Sequence, residues 1–335
     1  MASDPRQLTL SCCAGSARRF GGGADRHPPP AGPDDPAVQA GPHRHGGTEF
    51  VEVACRSVLN WVQGTRMSDF YSANPYRGCQ FGCLYCYARY THEYLGLEGA
   101  GEGPESFERK VFVKVNAPEA FARDLKKACH VFEAGVHLGS ATDPYQPAEA
   151  RFGVTRRMLE KLVPLRGLSM TIATKSVLAA RDTDLLAELS RRHALKVVMT
   201  CVTLDRRLQR ELEPLAPPTE QRLDTLARLS EKGVKVGLLL APVMPGLNDG
   251  EEELLALCRR ARQAGAQTLI SQVLFLPQAS QKAFLPWLQA SAPALHRRYV
   301  QALRGGRQLQ GPLRTAAEGR LARARAAAGL GSTSD

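Results

Sequence analysis

Asn74-Pro75-Tyr76-Arg77-Gly78-Cys79-Gln80-Phe81-Gly82-Cys83-Leu84-Tyr85-Cys86-Tyr87-Ala88-Arg89 sets three cysteines within eight residues, spaced C-x3-C-x2-C. Gly78 and Gly82 permit the tight backbone turns that aim three thiolates at one point. Three thiolates satisfy three irons of a cubane 4Fe–4S cluster, whereas ordinary electron-transfer clusters use four. The fourth iron is then open to a small molecule, and an open position on a metal centre marks catalysis rather than structure. Two plainer readings compete. His92, six residues after Cys86, would complete a Cys3His zinc site. An electron-transfer cluster would need a fourth thiolate, and the next along the chain is Cys129.

Working outward, apolar runs alternate with helix-like segments. Strands are predicted over 70–73, 136–141, 168–173, 196–202, 234–241 and 268–275. Between them, apolar residues three or four apart predict helices over 118–130, 155–165, 182–193, 219–232 and 251–264. Six strands separated by helices imply βαβ units and a parallel sheet. The near-continuous apolarity of the strands fits a sheet covered on both faces. Six units fall short of the eight that close a full barrel. The expected fold class is therefore α/β, a partial (β/α)6 TIM-like barrel, with an open doubly wound sheet as the alternative.

The flanks read differently. Residues 1–48, with Gly21-Gly22-Gly23 and Pro28-Pro29-Pro30, lack apolar periodicity and are expected to be a disordered tail. The domain is expected over 49–303. Residues 304–335 form a basic Arg/Ala-rich tail, holding at most a short helix over 315–328 without a convincing apolar face.

The chain has 335 residues, 43% of them hydrophobic, enough for a sizeable core. No apolar run approaches the roughly 20 residues that span a bilayer, and the N-terminus lacks the apolar stretch of a secretory signal. Nine cysteines, an odd number, do not suggest a disulfide framework. A cytoplasmic protein is expected, with the cysteine cluster as its metal site. The net charge of +11 is compatible with a phosphate-rich partner and does not demand one.

The motif with an aromatic residue, Tyr85, before its last cysteine is identified as that of the radical S-adenosylmethionine superfamily. NPYRGC…GC.YCYAR, followed by Ser140-Ala141-Thr142-Asp143-Pro144-Tyr145-Gln146-Pro147, resembles the radical enzymes related to spore photoproduct lyase. The resemblance runs from about Phe50 to Trp287. It implies a partial (β/α)6 barrel, a 4Fe–4S cluster on Cys79, Cys83 and Cys86, and S-adenosylmethionine on the open iron. It also implies a reducing electron donor of flavodoxin or ferredoxin type, with a nucleic acid as the candidate substrate. By the same resemblance Tyr85, Thr142, Lys175 and Thr200 contact S-adenosylmethionine. Lys175 would supply a cation for its carboxylate and the two threonines hydroxyl partners, the plain alternatives being a surface charge and strand-end hydroxyls bonded to backbone. One departure stands out. Where the lyases carry a cysteine that returns a hydrogen atom to the product radical, this chain has Ser140, whose O–H bond is far too strong for that role. The reading is a radical enzyme of unassigned substrate. The alternatives are a photoproduct lyase and a nucleic-acid-binding module with a structural zinc.

Overall fold

The computed structural model describes residues 43–45, 47–63, 69–93, 103, 105–128 and 130–331. Its strands are β1 (His43–His45), β2 (Thr48–Val53), β3 (Leu59–Val62), β4 (Phe70–Ala73), β5 (Tyr76–Arg77), β6 (Lys110–Lys114), β7 (Val136–Leu138), β8 (Ser169–Thr174), β9 (Ala194–Thr200), β10 (Lys235–Val243) and β11 (Thr268–Val273).

The larger sheet runs β11-β10-β9-β8-β7-β4-β3. From β4 to β11 every pairing is parallel, and β3 joins the edge antiparallel, with Leu59 opposite Ala73. These six parallel strands are the six that the apolar runs predicted. They lie in sequential order without the reversal that defines a doubly wound sheet. β11 and β3 remain at opposite edges, so the barrel stays open. Helices Ala117–Lys127, Val154–Glu160, Thr183–Arg192, Thr219–Glu231 and Glu251–Gln263 fill the crossovers. Four successive residues of β9, from Val197 to Thr200, are buried, as expected of a strand covered on both faces.

Two expectations about the flanks change. Of the tail expected over 1–48, most lies outside the described residues. From His43 the chain is already a strand, β1, antiparallel to β2 with His43 opposite Phe50. β2 in turn pairs parallel with β6, and β5 antiparallel with β6, making a second small sheet. At the other end, the described part of the expected 304–335 tail, up to Gly331, packs on the barrel. Helix Pro312–Ala328 packs along Glu251–Gln263 and buries Ala317, Leu321, Ala324 and Ala328. Arg320 donates to the Asp249 carbonyl at 2.8 Å and pairs with its carboxylate. Arg323 grips Glu251 at 2.7 and 2.9 Å, and Arg325 donates to the Ser271 hydroxyl at 2.7 Å. The chain then reaches Gly331, whose carbonyl accepts from Leu269 N at 3.0 Å and whose N–H donates to Gln267 at 3.1 Å. The apolar strip is mostly alanine, which is why it reads weakly in sequence. Among the described residues no helix is long and apolar enough to cross a membrane.

Candidate active site

The cysteine loop leaves β4 at the C-terminal end of the parallel strands, where loops of such folds converge. Gly78 has φ +85°, and a Cβ there would lie 2.7 Å from the Lys110 carbonyl oxygen and 2.8 Å from that of Phe107. Only glycine fits this close crossing. The Gly78 carbonyl accepts from the Thr142 hydroxyl at 2.7 Å and from Gln146 Nε2 at 3.2 Å. Gln146 also accepts from Gln80 N at 3.0 Å, and Gln80 Oε1 accepts from Ala148 N at 2.6 Å. From the other side, buried Arg89 donates to the Cys83 carbonyl at 3.0 and 3.2 Å while paired with Glu108 at 2.8 Å. Ser280 donates to the Cys86 carbonyl at 2.7 Å, and Leu84 N to the Leu212 carbonyl at 3.0 Å. The loop is thus held from three sides by residues far apart in sequence.

Cys79, Cys83 and Cys86 are all free thiols. Burial pushes each thiol up, that of Cys83 to about 12. Asp143, Cys83 and Cys86 raise Cys79 further, and Glu213 and Cys86 raise Cys83. Among the described residues no three His, Cys, Asp or Glu side chains are drawn together as tightly as a bound metal would draw them. The donor set still fits a cubane with three ligands: three uncrosslinked thiols on one tightly held loop, those of Cys79 and Cys83 buried and that of Cys86 partly so, with a cation beside them. It does not fit the zinc alternative. His92 lies against Gly78 and packs edge-on to Phe107 and Phe112, with ring centroids 5.2 and 5.9 Å away. Burial holds its imidazole down at about 4, helped by Arg77, Arg89 and Lys110, and no cysteine is among its influences. Cys129 lies outside the described residues.

The cation is Lys175, at the end of β8. Its backbone N–H donates to Asp143 at 2.7 Å, and the same carboxylate accepts from the Thr174 hydroxyl at 2.7 Å and Tyr145 N at 2.9 Å. Its Nζ lies 5.6 Å from the centroid of the Tyr85 ring, within cation–π range. Burial works against its charge, but the net shift is upward, with the Glu213 carboxylate among its causes, so it stays an ammonium. The Tyr85 hydroxyl donates to Glu213, which forms a fully buried ion pair with Arg222. Arg222 spends its remaining donors on the carbonyls of Thr200 at 2.9 Å and Pro217 at 2.7 Å. Burial raises the Glu213 carboxyl, yet Arg222 and Lys175 hold it below its ordinary range.

Of the four residues expected around the cofactor, Tyr85 and Lys175 come together here. Thr200 is buried at the end of β9, its carbonyl tied to Arg222. The Thr142 hydroxyl is engaged by Gly78 and by Gln146, whose Nε2 donates to it at 3.0 Å, so it shapes the loop from behind. Sequence reasoning missed Glu213 and Arg222, which no spacing marks and only the fold delivers. It also missed a hydroxyl–amide cluster at the ends of β4 and β7. There the Ser72 and Ser140 hydroxyls are 2.5 Å apart, and Asn74 Nδ2 donates to them at 2.9 and 3.2 Å. Tyr87, 42% exposed, donates its hydroxyl to the Ser140 carbonyl.

A curled six-strand parallel sheet with a three-thiol loop at its C-terminal rim defines a class, the cluster-dependent radical enzymes. The chain belongs to the radical SAM superfamily, which matches residues 73–258. That family uses a 4Fe–4S cluster and S-adenosylmethionine. An uncharacterized protein of Mycobacterium tuberculosis is 33% identical over 261 residues, 78% of this chain and 75% of that one. The radical SAM Nalpha-GlyT isomerase of Pseudomonas phage M6 is 26% identical over 245 residues, 72% of this chain and 46% of that protein. Among solved structures, a spore photoproduct lyase variant with bound AdoMet and dinucleoside spore photoproduct is similar in fold. Its TM-score is 0.61 at 16% identity, covering 84% of this chain and 80% of that one.

Proposed function

We propose that this chain binds S-adenosylmethionine over the three-cysteine cluster and directs radical chemistry at a nucleic acid. The observation that carries the reading is Lys175, a half-buried ammonium set beside Cys83 and Cys86 and over the face of Tyr85. When bound, the two cofactors supply one-electron cleavage of the sulfonium C–S bond and a 5′-deoxyadenosyl radical that abstracts hydrogen from carbon. The residues supply binding and exclusion of water. Lys175 offers the carboxylate of S-adenosylmethionine a cation in a site where burial strengthens the attraction. Tyr85, fixed through its hydroxyl by Glu213, offers a flat apolar face. Thr200 stands on the same rim, and Thr142 acts through Gly78. The described cysteines, all free, suit a reducing cytoplasm in which a flavodoxin- or ferredoxin-like protein delivers the electron.

The nucleic-acid part of the reading draws on the names of relatives and on the net charge of +11. It does not extend to lyase chemistry ended by a protein thiol. Ser140 holds that position, with its hydroxyl against Ser72 and Asn74. Anaerobic reconstitution should give about four irons and four sulfides per chain. With dithionite the loaded protein should release 5′-deoxyadenosine from S-adenosylmethionine, and a loaded protein that releases none would end the reading. On DNA carrying spore photoproduct, the wild type should form little or no thymine. Multiple-turnover repair by the wild type would restore the lyase alternative, and repair only by Ser140→Cys would show that the pocket accepts the lesion.

A further inference from the structure

We infer that the exposed Arg297, Arg298 and Arg304, on the rim beyond β10 and β11, form the phosphate-contacting surface for a nucleic-acid substrate. The inference rests on the nucleic-acid reading above and adds where that substrate lies.

Its first support is a run of composition. From Leu254 to Ala317 the sequence contains no Asp or Glu, while Arg and Lys recur throughout. Some of these cations are already engaged: Arg260 pairs with Glu220, and Arg262 donates to the Gly329 carbonyl. Others are not. Helix Pro293–Leu303 buries Tyr299 and Leu303, and the Tyr299 hydroxyl donates to the Pro245 carbonyl at 2.9 Å. That anchoring turns Arg297 and Arg298 outward, with half-exposed Val300 beside them and Arg304 at the helix end. Among the described residues no ion pair engages Arg297, Arg298 or Arg304. Asp249, which acts on Tyr299 from the neighbouring loop, is itself buried and taken by Arg320.

Position is the second support. Pro245 lies in the loop leaving β10, and Leu295 packs over Gly246 in the same loop. Arg307 accepts from Leu276 N at 2.7 Å just past the end of β11, and its guanidinium lies 5.9 Å from the Phe275 ring centroid. The preceding helix, Gln278–Ser291, carries Ser280, which bonds the Cys86 carbonyl. The arginines therefore occupy the same end of the barrel as the cysteine loop. Unneutralised charges of one sign hold a phosphate backbone through counterion release, independently of base sequence. At 1.5 Å per residue, Arg297 and Arg304 stand about 10 Å apart along the helix, long enough to follow a strand rather than to hold a single phosphate.

The test uses the reconstituted full-length chain and fluorescein-labelled oligonucleotides, single-stranded and duplex, read by anisotropy across a salt series. Arg297→Glu with Arg298→Glu and Arg304→Glu should weaken binding at least ~10-fold and flatten the salt slope by about 2–3. Iron content and affinity for S-adenosylmethionine should stay at wild-type values. The comparison variant, Arg166→Glu with Lys232→Glu and Lys235→Glu, changes as many charges at the opposite ends of the strands and should bind within about 2-fold of wild type. Equal losses in the two variants, or no loss in the first, would overturn the surface while leaving the nucleic-acid reading in place. A wild type that binds no oligonucleotide but does bind phosphatidylglycerol vesicles would overturn both, and release of 5′-deoxyadenosine would still stand apart from either.

Discussion

Two regions at one end of the barrel handle charge in opposite ways. Around the cysteine loop the charges are matched and wholly or partly buried: Arg89 with Glu108, Arg222 with Glu213, and Lys175 between Glu213 and the thiols. At Arg297, Arg298 and Arg304 they are exposed, and no ion pair among the described residues engages them. The first arrangement fixes positions, because a buried ion that loses its partner is costly and the groups cannot move apart. The second fixes nothing within the protein and leaves its field free to act on what approaches. The total of +11 does not separate the two. What separates them is whether a carboxylate stands within reach.

The contrast can be broken at its strongest point by Cys83→Ala. Two thiolates do not hold a cubane, so reconstituted protein should lose its iron and all cleavage of S-adenosylmethionine. Cys201→Ala, at a fully buried thiol outside the loop, should keep both. Full iron content in Cys83→Ala would refute the ligand assignment.

Removal of 305–335 is expected to do nearly as much damage, now to the fold. It strips Leu321 and Leu330 from the core and leaves Asp249, which is buried, without Arg320. Denaturant unfolding should show a clear loss of midpoint or no cooperative transition. A truncated chain as stable as the whole would mean that the helix merely rests on the barrel.

Glu213→Ala comes next. Leaving Arg222 buried and unpaired should cost about 3–5 kcal/mol of stability, and freeing Tyr85 and Lys175 should weaken S-adenosylmethionine binding in calorimetry. Glu213→Gln should recover part of the loss by restoring hydrogen bonds. The pH dependence has a definite sign. The folded carboxyl is held below its unfolded value, so its contribution is complete at neutral pH and is lost as pH falls through the depressed value. Melting temperatures of wild type and Glu213→Gln should therefore converge on acidification, and parallel curves would contradict the ion pair. The smallest effect belongs to Arg323→Ala, which breaks an exposed pair with Glu251. Its unfolding midpoint should match that of the wild type, and a clear drop would show that the pair does more than sit in solvent.

The sequence displayed the barrel clearly because its six central strands are apolar runs whatever their neighbours do. The metal site was equally clear, since three cysteines in eight residues carry their own geometry. β2 and β6 were missed: burial alternates along Lys110–Lys114 in the manner of a half-covered strand, but not along Thr48–Val53. Both are short, and their pairing joins segments some sixty residues apart. Helix Pro312–Ala328 was undervalued because alanine contributes little to an apolar stripe, and because arginines that face Asp249 and Glu251 look solvated until the fold brings those acids to them. Thr142 shows the limit for site residues. Its place in the motif was evident, but only the structure shows that its hydroxyl donates to the Gly78 carbonyl and accepts from Gln146.

The pairing of Gly331 with Gln267 and Leu269 has a consequence for solubility. An open barrel ends in two rows of unused backbone donors and acceptors, and such rows invite a second chain to add its own strand. On the β11 side, the last described residues occupy the beginning of that row themselves, with helix Pro312–Ala328 alongside. Helix Pro312–Ala328 and the stretch up to Gly331 thus work as a selvedge, a finished border that keeps a half-closed sheet from being sewn to its neighbour.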